Sequence, residues 1–247
     1  MKKLICGLIV AATSLPALAV PAINIGSMHD FIEPGQSTLL KRIRNTGDST
    51  AFVRVTVTEI VFDTSGNATE KSLNADGIMK SQAEGVVATP ARMIVPAGGV
   101  QANRQLYIGK RDRERYYRVR YVPVMPKDAA EFGQSEQEMK RYEKSLNAGV
   151  TMLSGYGAIL TVRPDTVRYD TQQRHDTSGY VITNKGNSTV TLDNLYQCDA
   201  TGKKCQTPSV RYLTPGKSLR LEKSAGRSYK FDLIEGQSKK AISIGKL

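Results

Sequence analysis

The chain has 247 residues, 40% of them hydrophobic, no tryptophan, and a formal charge of +12 from 35 Lys and Arg against 23 Asp and Glu. That length suits one large β domain or two domains of about 100 residues each. The basic residues are scattered through strand-like segments rather than gathered in one block, which argues against nucleic acid and for a basic face toward a protein partner or membrane surface.

Met1-Lys2-Lys3, an apolar run over residues 4–18 and Ala17-Leu18-Ala19 follow the order of a secretory signal peptide, with cleavage expected after Ala19. The run is shorter than a bilayer span of about 20 residues and carries Ser14 and Pro16, so no membrane insertion is expected. Cys6 precedes most of the apolar stretch and leaves with it.

Residues 37–44, 51–58 and 115–122 mix β-branched and aromatic side chains in period-two alternation, the pattern of half-buried strands. Turn signals stand between them: Glu33-Pro-Gly35, Asn45-Thr-Gly47, Ser65-Gly-Asn67 and Pro96-Ala-Gly-Gly99. Many short strands with such turns predict an all-β fold built from sandwiches. After Pro164-Asp165 a fresh strand series begins, at residues 179–183, 189–196, 218–221, 228–233 and 241–244. The predicted division is therefore residues 1–19 signal, 20–163 first domain and 164–247 second domain. Asn45-Thr-Gly47 recurs as Asn184-Lys-Gly186, a hint of two copies of one architecture.

Residues 126–148 break the β pattern; they are charged, favour helix over strand, and read as a mobile surface loop with room for a helical turn. Residues 149–162 follow as one long strand candidate. Alternation places Val150, Met152, Ser154, Tyr156, Ala158, Leu160 and Val162 on one face. An edge strand with an apolar row is an aggregation liability unless a partner covers it, and strand addition uses that geometry. The same pattern also suits side chains that fill the domain's own core. Cys198 and Cys205, either side of a polar, Gly-containing turn in an exported chain, are expected to form a disulfide.

Catalytic motifs are not found. His29 and His175 stand in no metal-ligand or nucleophile–base spacing, and Gly155-Tyr-Gly157 lacks a strand-to-helix context. The chain is expected to be no enzyme and to need no cofactor or metal.

The segment Val86-Val-Ala-Thr-Pro-Ala-Arg-Met-Ile-Val-Pro-Ala-Gly-Gly-Val-Gln-Ala-Asn-Arg104 resembles the "TP, apolar strand, PAG, Q, R" stretch of the chaperone–usher pilus chaperones. Glu114-Arg-Tyr-Tyr-Arg118 resembles their "E-x-x-Y-R" strand, and Gly157-Ala-Ile-Leu-Thr-Val-Arg-Pro164 the end of their donor strand. Ile182-Thr-Asn-Lys-Gly-Asn-Ser188, the cysteine pair and Leu213-Thr-Pro-Gly-Lys-Ser218 look closest to the common-pilus, or alternate chaperone–usher, branch.

The resemblance implies two immunoglobulin-like β-sandwich domains in an L-shaped arrangement and a periplasmic location. It also implies a chaperone that completes pilin subunits by donor-strand complementation and hands them to an outer-membrane usher. Carried over by position, the donor side chains are Val150, Met152, Ser154 and Tyr156. Family members hold the pilin's C-terminal carboxylate with an Arg on the first strand and a Lys on the donor strand; here His29 and Ile159 fall at or near those places. That leaves Arg118, Arg120 and Arg163 as candidate anchors. Glu114 and Arg163 also fall where members brace the two domains with an ion pair. The alternatives are a two-domain pilus subunit or adhesin, and an exported carbohydrate-binding sandwich. The first would be expected to carry its own donor extension, whereas residues 22–26 already read as a strand; the second would usually show a clustered aromatic platform.

Overall fold

The computed structural model describes residues 20–63, 65–126, 129–146, 153–176, 179–199, 201, 203–222 and 226–244. Expected alternation becomes layered burial. Along Ala51–Phe62, Val53 and Val55 are buried while Arg54 and Thr56 reach solvent, so one face of the strand joins a core and the other does not.

Four sheets result. The first has the order β1 (Ile23–Asn24), β3 (Thr38–Asn45), β8 (Val100–Ile108), β6 (Gly85–Thr89). The second runs β2 (His29–Ile32), β10 (Tyr156–Val162), β9 (Arg115–Pro123), β4 (Ala51–Phe62), β5 (Ala68–Ser72), with β7 (Arg92–Val95) also on β4. Between these two sheets lies one core, in which Ile32, Ile43, Val53, Val95, Tyr117, Val119 and Tyr121 have no solvent exposure.

The third sheet is β11 (Thr171–Asp176), β12 (Gly179–Asn184), β15 (Ser218–Glu222). The fourth is β14 (Ser209–Leu213), β13 (Val190–Asp199), β16 (Arg227–Glu235), β17 (Ser238–Ile244). A second, separate core of Tyr180, Ile182, Val190, Leu192, Leu233 and their neighbours joins them. The chain is thus two immunoglobulin-like sandwiches.

The recurrent Asn-x-Gly turn does the same job twice. Fully buried Asn45 donates from Nδ2 to the carbonyls of Ser49 and Val95 at 2.7 and 3.0 Å, and its Oδ1 accepts the Gly47 N–H at 3.0 Å. Asn184 donates to Ser188 and Leu213 at 2.9 and 2.8 Å and accepts from Gly186 at 2.9 Å. Each amide satisfies backbone groups that a buried turn would otherwise leave unpaired. The glycines are required by space: a Cβ on Gly47 would strike the Val20 carbonyl, and one on Gly186 that of Arg168.

The disulfide Cys198–Cys205 is present. It clips a turn in which Asp199 Oδ1 accepts from the Thr201 hydroxyl at 2.8 Å and from the N–H groups of Thr201 and Lys203 at 3.1 and 3.2 Å.

The insert before β10 is more ordered than a surface loop. Helix α1 (Ala75–Met79) lies earlier in the chain; the insert carries a 3-10 turn at Ala129–Phe132 and helix α2 (Glu136–Leu146). Ser135 and Glu138 form a reciprocal capping box, with the Glu138 N–H to Ser135 Oγ at 3.2 Å and the Ser135 N–H to Glu138 Oε2 at 2.9 Å. Phe132, Met139 and Tyr142 form a small apolar cluster with Phe52, flanked by Ile94 and Val124. Within α2, Met139 and Tyr142 are three residues apart and so share one helix face.

Candidate functional site: the edge of β10 and the cleft beside it

Strand β10 has unequal neighbours. Against β9 it pairs over its whole length, from Tyr156↔Tyr121 to Val162↔Arg115. Against β2 it pairs in parallel only from Ile159↔His29 to Val162↔Ile32, and its last bond on that side is the Ile159 N–H to the Met28 carbonyl at 2.9 Å. Backbone groups alternate along a strand, so the N–H and C=O of Gly157 point to the same side as the Ile159 N–H. No strand among the described residues pairs with them there.

The inward face of β10 carries Ala158, Leu160 and Val162, each 1% exposed. The row then leaves the core: Tyr156 is 37% exposed, and Ser154 is exposed. The expected strand over 149–162 is shorter in this structure, since residues 153–155 form no ladder. Register pairing with β9 ends at Tyr156 and with β2 at Ile159, although Gly155 still lies beside Tyr121 and Val122 of β9. Val150 and Met152 lie outside the described residues.

The outward face brings the other candidates together. Directly opposite residues in neighbouring strands share a face, so His29, Ile159, Arg118 and Thr58 form one row across the sheet. The Arg118 side chain lies along Gly157, where a Cβ would stand 3.5 Å from its Cδ and 3.7 Å from its Nη1. Arg118 Nε donates to Glu70 Oε1 at 2.8 Å, and Arg120 Nη2 to Glu70 Oε2 at 2.6 Å. Thr58 and the two arginines hold the Glu70 carboxyl down to about 2.

At the end of that row the second sandwich approaches. The His29 ring stacks on Tyr212 of β14 with centroids 3.8 Å apart and on Phe31 at 4.9 Å. Its Nε2 pairs with Thr161 Oγ1 at 2.8 Å. Burial, aided by the Arg163 charge, lowers the imidazole to about 4, so it is neutral near pH 7.

Arg163 is 4% exposed, and its Nε and Nη1 are engaged within the protein. Nε donates to Glu33 at 3.1 Å, and Nη1 to Ser188 Oγ at 2.5 Å and the Thr189 carbonyl at 2.9 Å. The cation also covers the Phe31 ring at 4.2 Å. Glu114, 8% exposed, stands 3.7 Å from Arg163 and accepts from Ser188 Oγ at 2.6 Å, the Thr189 N–H at 2.8 Å and Tyr116 OH at 2.6 Å. Together they span the two sandwiches. Arg163 is thus buried within this network, whereas Arg118 and Arg120 are about one third exposed.

Sequence reading did not single out Glu70, Thr161, Ser188, Thr189 or Tyr212. Glu70 sits on a wholly exposed strand with no burial signal, and the rest act through contacts between segments distant in the chain. Among the described residues no helix is long and apolar enough to cross a membrane, and no cluster of His, Cys, Asp and Glu could hold a metal ion.

No family model matches the chain. It is 30% identical over 226 residues to a Klebsiella pneumoniae protein named "Probable fimbrial chaperone EcpB", covering 90% of this chain and 89% of that protein. Its fold is similar to that of the Escherichia coli chaperone DraB, with a TM-score of 0.55 at 15% identity over 92% of this chain and 99% of that one. It is also similar to a chain in the Salmonella enterica SafA pilin–SafB chaperone complex, with a TM-score of 0.54 at 13% identity over 93% and 98%.

Proposed function

This chain belongs to the fimbrial chaperones, and on that footing we propose that it captures pilus subunits in the periplasm by lending them the free edge of β10. The observation that carries this reading is the half-covered strand. From Ile159 onward β10 is a core strand, and ahead of it one backbone edge is unpaired among the described residues, beside a row of side chains that is buried through Ala158 and emerges at Tyr156. An edge of that kind invites an added strand, with backbone bonds for affinity and alternate side chains for specificity.

The donated side chains in this reading are Val150, Met152, Ser154 and Tyr156, with the sandwiches divided at residue 164. The subunit's C-terminal carboxylate is held by Arg118, assisted by Arg120. The places that carry cations elsewhere in the family hold His29 and Ile159 here, and Arg118 is the next member of that same row, one strand further in. Only its Nε is used by Glu70, and a carboxylate can take the rest of the fork. Arg163 and Glu114 brace the sandwiches, and an outer-membrane usher receives the loaded chaperone.

Co-expression of the tagged chain with the pilus subunits of its own organism tests the proposal. A one-to-one complex in periplasmic extract supports it. A folded chaperone that co-elutes with no subunit removes it and favours the adhesin or carbohydrate-binding alternative.

A further inference from the structure

The segment between β9 and β10, residues 124–155, is long enough to wander, yet the structure fastens its middle to the sheet. Phe52 lies on β4 between Ala51 and Val53; Val53 and Val55 point into the sandwich core, so Phe52 faces outward. It is nevertheless only 4% exposed, because Phe132 and Tyr142 meet its ring edge-on, with centroids at 5.1 and 4.7 Å. Met139 completes the cover. Glu131 is gripped by Arg54, with Arg92 3.9 Å away. The capping box at Ser135 fixes where α2 begins. Three different kinds of contact therefore hold one piece of chain in place just upstream of β10.

We propose that this cluster is a positioning device for the donated strand, with Phe132, Met139 and Tyr142 as its positioning residues. The inference rests on the strand-donation reading. With α2 docked, only residues 147–155 separate a fixed helix end from the first residue of β10. With α2 released, the nearest fixed point upstream becomes the end of β9 at Pro123, and residues 124–155 intervene. Closure entropy scales with the logarithm of length, which makes the longer tether roughly sevenfold less favourable to order. Docking removes that cost before a subunit arrives, so its effect falls on association rather than dissociation.

The test compares wild type, the Phe132→Ser/Tyr142→Ser double variant, its triple form with Met139→Asp, and the conservative Phe132→Leu. A pilus subunit of the same organism, diluted from urea, is the probe. Amide hydrogen exchange reports whether α2 is released, and rate measurements separate association from dissociation. Release of α2 should lower the association rate roughly sevenfold at an unchanged dissociation rate. Phe132→Leu should restore it, and replacing residues 129–146 by a four-residue glycine–serine linker, which leaves about 18 residues between β9 and β10, should bring it back to within roughly threefold of wild type. Unchanged association with α2 released, or faster dissociation alone, overturns the proposal. A wild-type chain that captures no subunit removes the strand-donation reading instead.

Discussion

Arg118 stands directly opposite Ile159 across the β9–β10 ladder, and Ile159 stands directly opposite His29 across β10–β2. A row that begins with a neutral, stacked imidazole therefore meets its first cation on the third strand. Replacing Arg118 with Gln should weaken subunit capture about 10- to 100-fold, the worth of a charge-assisted bond. Arg120→Gln should cost less, since its guanidinium lies beside Thr58 and Glu70, with Nη1 to Thr58 Oγ1 at 3.2 Å. Titration of each variant with subunit, at two salt concentrations, checks both.

His29 gives the fold a pH dependence. An unfolded histidine titrates near 6.5, and the folded one near 4. Between those values the unfolded chain binds the extra proton, so this contribution is complete above about pH 6.5 and is lost as pH falls toward 4. Allowing for solvent screening, the loss is about 1–2 kcal/mol. Thermal melts at pH 7 and 4.5 should show a smaller difference for His29→Phe, which keeps a ring against Tyr212 but cannot titrate. An equal difference in both proteins would exclude His29 as its source.

The bridge between the sandwiches should be sensitive to removal of one partner. Glu114→Ala leaves Arg163 buried with one carboxylate fewer and strips Thr189 and Ser188 of their acceptor. The expected cost is about 3–5 kcal/mol, read from denaturant unfolding. A change below about 1 kcal/mol would mean that the network is replaceable by solvent.

Asn45 and Asn184 make a matched pair of tests. Alanine at either position removes a donor from two backbone carbonyls and an acceptor from a turn N–H, at an expected cost of about 2–4 kcal/mol. If the turns are equivalent, the two losses should agree within about 1 kcal/mol.

Much of this was legible in the sequence where burial alternates. The β4 and β9 segments alternate apolar and polar residues over much of their length, and β3, β9, β12 and β16 form ladders within a residue or two of the expected spans, while β4 runs four residues further, to Phe62. Strands β5 and β11 were not legible. Ala68–Ser72 is exposed throughout and Thr171–Asp176 nearly so, because each is an edge held by backbone bonds to a single neighbour, and those leave no mark on side-chain pattern. The insert was read too loosely, since charged residues on the outer side of α2 mask the apolar positions that reach Phe52. The cation row was invisible for another reason. Arg118, Ile159 and His29 are far apart in the chain, and only register makes them neighbours.

The most direct test of strand donation is the double variant Val150→Ser/Met152→Ser, assayed for subunit capture alongside wild type with folding checked by circular dichroism and thermal melting. The account predicts an intact fold and loss of the one-to-one complex, because the apolar row ahead of Ala158 supplies the side chains that enter the subunit. A folded variant that still retains the subunit would contradict it.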